Sequence, residues 1–390
     1  MEWHIITCEY PPQFGGVSDY TYQVARGLAE AGDSVHVWCP AVEGETPGSS
    51  GVSVHRDFGR FSPRDLWRVG ASLNRVSRPR RLLVQWVPHG FGYRSMNVFF
   101  CIWLWWRSAF HGDRVALMVH EVFLGFAGSW KQRAAAFVHR IMTLILLRAP
   151  DQIFLSIPAW EKYLRPYALG RRVPYTWLPI SSNVARSSDP APASSARARY
   201  GLNGGMVIGH YGTFPKQINE VLLEAIPILL AGNSDLTVLL IGPGGDALRD
   251  RIRERLGDSA GRVQATGKLD LAQIPAHLSS CDVMLQPYPD GVSSRRTTMM
   301  AQLSLGLPVV TTVGNLTEML WSDSGAVALA PVGDLNQLVA VTQSLLTDEA
   351  ERTRLKQAAI SLYLERFDIS HTIETLRAAM SLPGTQTIER

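Results

Sequence analysis

A chain of 390 residues is too long for one hydrophobic core and implies two domains. At 46% hydrophobic and 18% charged residues it reads as globular; a formal charge of +4 does not argue for nucleic acid, though it tolerates an anionic ligand or lipid surface. Cys8, Cys39, Cys101 and Cys281 have no paired spacing, which argues against a zinc site or disulfide framework and fits a reducing cytoplasm.

Met1-Glu2-Trp3-His4 runs directly into a strand at residues 5–8 with no basic and apolar leader, so no secretory signal is expected. A loop over residues 9–17 carries Gly15 and Gly16. They mark either a turn or a place where backbone approaches a ligand closely. Ser18 or Asp19 then caps a helix with Tyr20, Val24 and Leu28 on one face, ended by Gly32. Residues 35–38, 82–86 and 115–119 read as further buried strands separated by helical stretches.

Residues 98–106 are almost wholly apolar, with Phe99, Phe100, Trp103, Trp105 and Trp106, and are closed by Arg107 and His111. The run is short of the roughly 20 residues that span a bilayer. It reads as a buried helix or, because Trp favours headgroup depth, as an interfacial surface. The helix expected over 131–148 sets Lys131, Arg133, His139, Arg140 and Arg148 among Phe137, Ile141, Leu144, Ile145 and Leu147. Basic amphipathic helices of this kind can lie on anionic membranes.

From 181 to 199 Ser, Ala, Pro and Arg dominate without an aromatic, a linker composition. Strands then recur at 206–210, 236–241, 263–266 and 282–286, with a helix at 220–230. Residues 351–380 read as helical with a break near Phe367-Asp368. Strands alternating with helices predict parallel sheets covered on both faces, here as two doubly wound α/β units. In such sheets ligands sit beyond the carboxyl ends of the strands. The informative loops are therefore Gly15-Gly16, His120-Glu121, Gly212-Thr213, Gly242-Pro243-Gly244-Gly245 and Ser293-Ser294-Arg295-Arg296.

The last of these is the strongest signal. Pro289-Asp290-Gly291-Val292-Ser293-Ser294-Arg295-Arg296 precedes a helical run and then Gly306-Leu307-Pro308-Val309-Val310. Two hydroxyls and two arginines stand where a helix begins, beside free N–H groups and the positive dipole end. Arginine there costs the helix about 0.3–1 kcal/mol, so a pair suggests that something negative occupies the loop. Phosphate fits the planar guanidinium fork. The alternative is that both arginines point into water and Ser294 only caps the helix.

These motifs resemble the GT-B glycosyltransferases, specifically the retaining, nucleotide-sugar-dependent family 4, over nearly the whole chain. Tyr10-Pro11-Pro12 with Gly15-Gly16-Val17 resembles the family's N-terminal glycine loop, and His120 its strand-end cleft histidine. Gly242-Pro243-Gly244, Thr266-Gly267-Lys268-Leu269 and Gly306-Leu307-Pro308-Val309-Val310 match its C-terminal pattern.

The resemblance implies two Rossmann-like doubly wound domains facing each other across a cleft. It places an acceptor domain at 1–183, a donor domain at 184–366 and a helix at 367–390 that crosses back. It implies a catalytic role for His120. Donor diphosphate contacts would come from Gly15, Gly16, Thr213, Lys216, Ser293, Ser294, Arg295 and Arg296. Nucleotide contacts would come from Gly212, Gly242, Gly244, Lys268 and Leu269, and acceptor contacts from Gln85, Pro88, Phe91 and Glu121.

The chain departs from the family in two places. The family's two glutamates, separated by seven intervening residues, would fall on Ser293 and Ala301, and Asp290 is out of that register. Thr213 stands where Arg is usual, and Lys216 comes early. Arg295 and Arg296 are the residues expected to take over phosphate binding.

The implied reaction moves a sugar from a nucleotide-diphosphate sugar to a glycan, lipid-linked or small acceptor with retention. No cofactor beyond that co-substrate is expected and, without an Asp-x-Asp pair, no metal. The expected location is cytoplasmic, with peripheral contact at the inner face of the cell membrane left open, and no nucleic-acid partner. A sugar-nucleotide epimerase, or a non-catalytic subunit binding lipid or a partner glycosyltransferase, remains as the alternative. A dinucleotide oxidoreductase is disfavoured because no Gly-x-Gly-x-x-Gly follows the first strand.

Overall fold

A computed structural model describes residues 1–13, 15–44, 48, 50–184, 191–202 and 204–381. The chain divides into two compact units: Met1–Ser181 together with the chain from Ile369 onward, and Ser182–Asp368. Of the stretch read as a linker, residues 185–190 lie outside the described residues, and Ala191–Arg199 is a helix.

The first unit holds seven strands: β1 (Glu2–Ile6), β2 (Ser34–Trp38), β3 (Val52–His55), β4 (Arg81–Trp86), β5 (Arg114–Val119), β6 (Gln152–Leu155) and β7 (Tyr175–Trp177). Their order is β3-β2-β1-β4-β5-β6-β7, and every pair is parallel. Ile5 lies opposite both Val37 and Leu83, which sets the register at the centre. Strands packed by helices on both faces are apolar throughout rather than alternating, and β4, β5 and β6 are almost wholly buried.

The helix Gly16–Glu30 buries Tyr20, Val24 and Leu28, four residues apart, onto this sheet. The helix Ile369–Ser381 adds Ile373, Leu376 and Met380 to the same core. The two helices meet at Gly27, where a Cβ would come within 2.8 Å of the Ile373 side chain.

The apolar run read as either a buried helix or an interfacial surface forms the helix Val98–His111, with one side buried and the other exposed. Phe100, Cys101, Trp103 and Leu104 face the core while Phe99, Ile102, Trp105 and Trp106 are exposed. Arg107, read as the polar end of the run, has no exposed surface. Its Nε donates to Asp113 Oδ2 at 2.5 Å, while Arg80 Nε donates to Oδ1 of the same carboxylate at 2.5 Å. Buried charges require such pairing.

The second unit holds β8 (Val207–Tyr211), β9 (Thr237–Ile241), β10 (Val263–Ala265), β11 (Val283–Gln286), β12 (Val309–Val313) and β13 (Ala328–Pro331). The order is β10-β9-β8-β11-β12-β13, again all parallel. Both sheets are of Rossmann-like type. Strand order reverses between β1 and β4 in one and between β8 and β11 in the other, where such sheets place ligands.

Candidate functional site

In the first unit the loop after β1 returns to the helix Gly16–Glu30 through Glu9. The Glu9 Oε1 accepts from the Ser18 N–H at 3.0 Å, so a carboxylate from within the chain sits on the helix start where Gly15 and Gly16 were expected to meet diphosphate. A Cβ at Gly15 would lie 2.2 Å from Glu9 Oε1, so glycine there leaves room for that carboxylate. Burial raises the Glu9 pKa, opposed by the N–H donors. Ser18 does not cap this helix with its side chain; its Oγ donates to Gln13 O at 2.6 Å.

At the ends of β4 and β5, His120 Nε2 is 2.8 Å from Gln85 Oε1, and its ring stands edge-on to Tyr20. Burial lowers the His120 pKa from 6.5 to about 3, so the ring is a neutral hydrogen-bonding group at ordinary pH. Its carbonyl accepts from Trp160 Nε1 at 3.0 Å. Glu121 is half exposed, with Oε2 3.5 Å from His89 Nδ1. Pro88 is buried. Phe91 has no exposed surface, stacking on Trp86 and Phe100, so its ring serves the core.

In the second unit the loops after β8 and β9 touch through backbone. Gly242 has φ of 120°, and a Cβ there would meet the Gly212 carbonyl oxygen at 2.2 Å. Its N–H donates to Thr266 Oγ1 at 3.2 Å, tying in the loop after β10. Gly244, with φ of 94°, begins the helix Gly245–Leu256. Thr213 and Lys216 are exposed, with Lys216 Nζ 3.7 Å from Glu220. Lys268 is exposed and Leu269 half-buried.

The arginine loop follows β11. Arg295 Nη2 donates to Asp290 Oδ2 at 2.6 Å and Arg296 Nη2 to the same oxygen at 3.0 Å. Neither side chain points freely into water; they are 16% and 25% exposed. Arg296 also lies over the Tyr288 ring, 4.8 Å from its centroid. Two guanidinium groups share one carboxylate, so the cluster keeps an excess positive charge.

The helix behind them, Thr297–Ser304, has Arg296 at its N-cap and no side-chain cap, so Ser294 is not capping it. Instead the Ser294 N–H donates to Glu318 Oε1 at 3.0 Å, and its Oγ donates to the same carboxylate. Trp321 Nε1 donates to Glu318 Oε2 at 2.8 Å. Burial raises the Glu318 pKa, opposed chiefly by the Ser294 donors. Ser293 is fully buried, and its Oγ has no partner.

Glu318 was not singled out from sequence. It lies in the loop after β12, and the rule that loops following parallel strands carry function points to it. Among the described residues no group of three or more His, Cys, Asp or Glu is placed to hold a metal ion.

Residues 14–174 match the family model described as Glycosyltransferase Family 4, and residues 205–348 match that described as Glycosyl transferases group 1. The chain belongs to the family 4 glycosyltransferases. Its two parallel α/β sheets are those of the GT-B fold. This glycosyltransferase is 29% identical over 349 residues to a phosphatidyl-myo-inositol mannosyltransferase of Mycolicibacterium smegmatis, covering 87% of this chain and 83% of that one.

Among solved structures, a sucrose-phosphate synthase from Thermosynechococcus elongatus superposes with a TM-score of 0.75 at 16% identity, covering 98% of both chains. HepE from Anabaena, in complex with UDP and glucose, superposes at 0.70 and 15% identity, covering 97% of this chain and 99% of that one. At these identities the likeness concerns the fold.

Proposed function

We propose that this glycosyltransferase uses a nucleotide-diphosphate sugar, holds the donor diphosphate through Arg295 and Arg296 rather than through Ser293 and Ser294, which have no exposed surface, and transfers the sugar with retention to a lipid-borne or glycan acceptor. The observation that carries the reading is the Arg295–Arg296 pair sharing Asp290 at the carboxyl edge of a parallel sheet. An incoming diphosphate replaces one shared carboxylate with several anionic oxygens, and the guanidinium forks suit them. As the sugar departs, negative charge grows on the leaving diphosphate, and fixed cations aimed there stabilise the transition state. Gly212, Gly242 and Gly244 line the neighbouring strand ends with backbone alone, leaving room for the nucleoside.

Glu318 acts on the donor loop by fixing Ser294. In the first unit, His120 offers a neutral polar contact to an acceptor and Glu121 a carboxylate; Gln85, expected to touch the acceptor, has no exposed surface and instead orients His120. No metal or other cofactor enters the proposed reaction. The lipid-borne acceptor is suggested by the curated mannosyltransferase relatives. A cytoplasmic location fits four cysteines that are all buried and unpaired.

A calorimetric panel of nucleoside diphosphates and nucleotide sugars tests the reading. One base should bind as diphosphate and as diphosphate sugar, with chelator making no difference. Turnover with an acceptor, followed by the anomeric configuration of the product, tests retention. Interconversion of the donor sugar without acceptor favours an epimerase instead, and no binding of any member favours a non-catalytic subunit.

A further inference from the structure

The helices Pro63–Leu73 and Val98–His111 of the first unit enclose an open groove of about 430 Å³. Pro63, Leu66, Trp67, Phe99, Ile102 and Trp106 line it, and Asn74 is its one polar aliphatic side chain. Leu66 is buried at its floor, but the walls are exposed: Trp67 shows 75% of its surface and Phe99 55%, and Trp105 and Phe110 continue the patch along the helix. Gly70 sets the helix spacing, since a Cβ there would meet Trp103 Nε1 at 3.3 Å. A contiguous exposed apolar patch of this kind marks an interaction surface.

The charge around the patch says what it meets. Between Phe58 and Gly112 the chain carries nine arginines and one acid, Asp65. Its carboxylate accepts from the Ser62 N–H and Oγ and from Arg68. Arg60, Arg64, Arg68, Arg75 and Arg78 are exposed. The helix Trp130–Leu146 packs beside Val98–His111, has no acidic residue, and exposes Trp130, Phe137, Lys131 and Arg133. A second copy of this chain would set arginine against arginine, which disfavours self-association through this face.

We infer that this aromatic groove with its arginine rim docks on an anionic lipid bilayer, indoles at headgroup depth and guanidinium groups on lipid phosphates. Among the described residues no helix is long and apolar enough to cross a membrane, so the contact is peripheral. The inference uses a surface separate from the Ser293–Arg296 loop and does not depend on the donor reading.

The test is co-sedimentation of the full chain with vesicles of phosphatidylcholine alone or mixed with phosphatidylglycerol. Wild type should pellet with the mixed vesicles, less so as salt rises, and stay in solution with phosphatidylcholine. Trp67→Ser with Trp106→Ser, and separately Arg64→Glu with Arg75→Glu, should each lower partition roughly ten-fold or more. All four side chains are exposed, so melting midpoints should be unchanged, and the two pairs give independent readings. Equal partition onto both vesicles, no partition, indifference to both pairs, or a dimer in sedimentation velocity that the Trp pair abolishes overturns the inference.

Discussion

Asp290 Oδ2 stands 2.6 Å from Arg295 Nη2, so the most exposed anion of the donor loop is already bonded to the cations expected to bind phosphate. That carboxylate competes with a diphosphate for the same donors. Asp290→Asn removes the competing charge and keeps a polar side chain in place. Nucleoside diphosphate should bind it about three- to ten-fold more tightly, the scale of one screened like-charge contact. Isothermal titration reads this directly, and weaker binding would mean that Asp290 positions the arginines.

Glu318 holds Ser294 and Trp321 at once, and removing it takes a buried acceptor from each. Each such loss costs about 1–3 kcal/mol. Glu318→Ala should therefore lower the urea midpoint clearly, whereas Ser294→Ala should lower it less because Trp321 keeps its acceptor. Equal stability of Glu318→Ala and wild type would show that the contact contributes nothing.

Gly242 occupies a left-handed conformation against the Gly212 carbonyl. Gly242→Ala has to separate the loops after β8 and β9, with strain in the backbone as well. Both the thermal midpoint and nucleotide affinity should fall. The control Gly232→Ala, at a helix end with ordinary backbone angles, should change affinity little.

Stability should fall on acidification. Burial lowers His4 and His120 to about 3 and His210 to about 4 from the ordinary 6.5. Between those values the unfolded chain binds more protons than the folded one, so stability rises with pH there. It is fully present above 6.5 and is lost as pH drops toward 4. Urea midpoints across that range should show the slope, and His210→Gln should make it shallower; a flat profile would contradict it.

Much of the fold was legible because buried parallel strands are apolar runs: residues 82–86 and 115–119 coincide with strand positions. The short β3, β6 and β7 carry too few residues for a period to show, and β3 includes the polar Ser53 and His55. An exposed face on the Trp-rich helix was one of two readings, but composition alone cannot say that Trp105 and Trp106, rather than Trp103, lie on it. At the donor loop, Arg295 and Arg296 could be read from a helix start. Their partner Asp290 lies only five and six residues back, yet its role depends on how the loop folds. Glu318 is 24 residues from Ser294, so only the pairing of β11 with β12 brings them together.

The central claim is that Arg295 and Arg296 bind the donor diphosphate. Titrating nucleoside diphosphate and the matching nucleoside into wild type, Arg295→Ala and Arg296→Ala tests it most directly. The expected result is a loss of roughly ten-fold to a hundred-fold in diphosphate affinity for at least one variant, the scale of a charge-assisted contact, with nucleoside binding unchanged. Diphosphate binding as tight as wild type in both variants would contradict it.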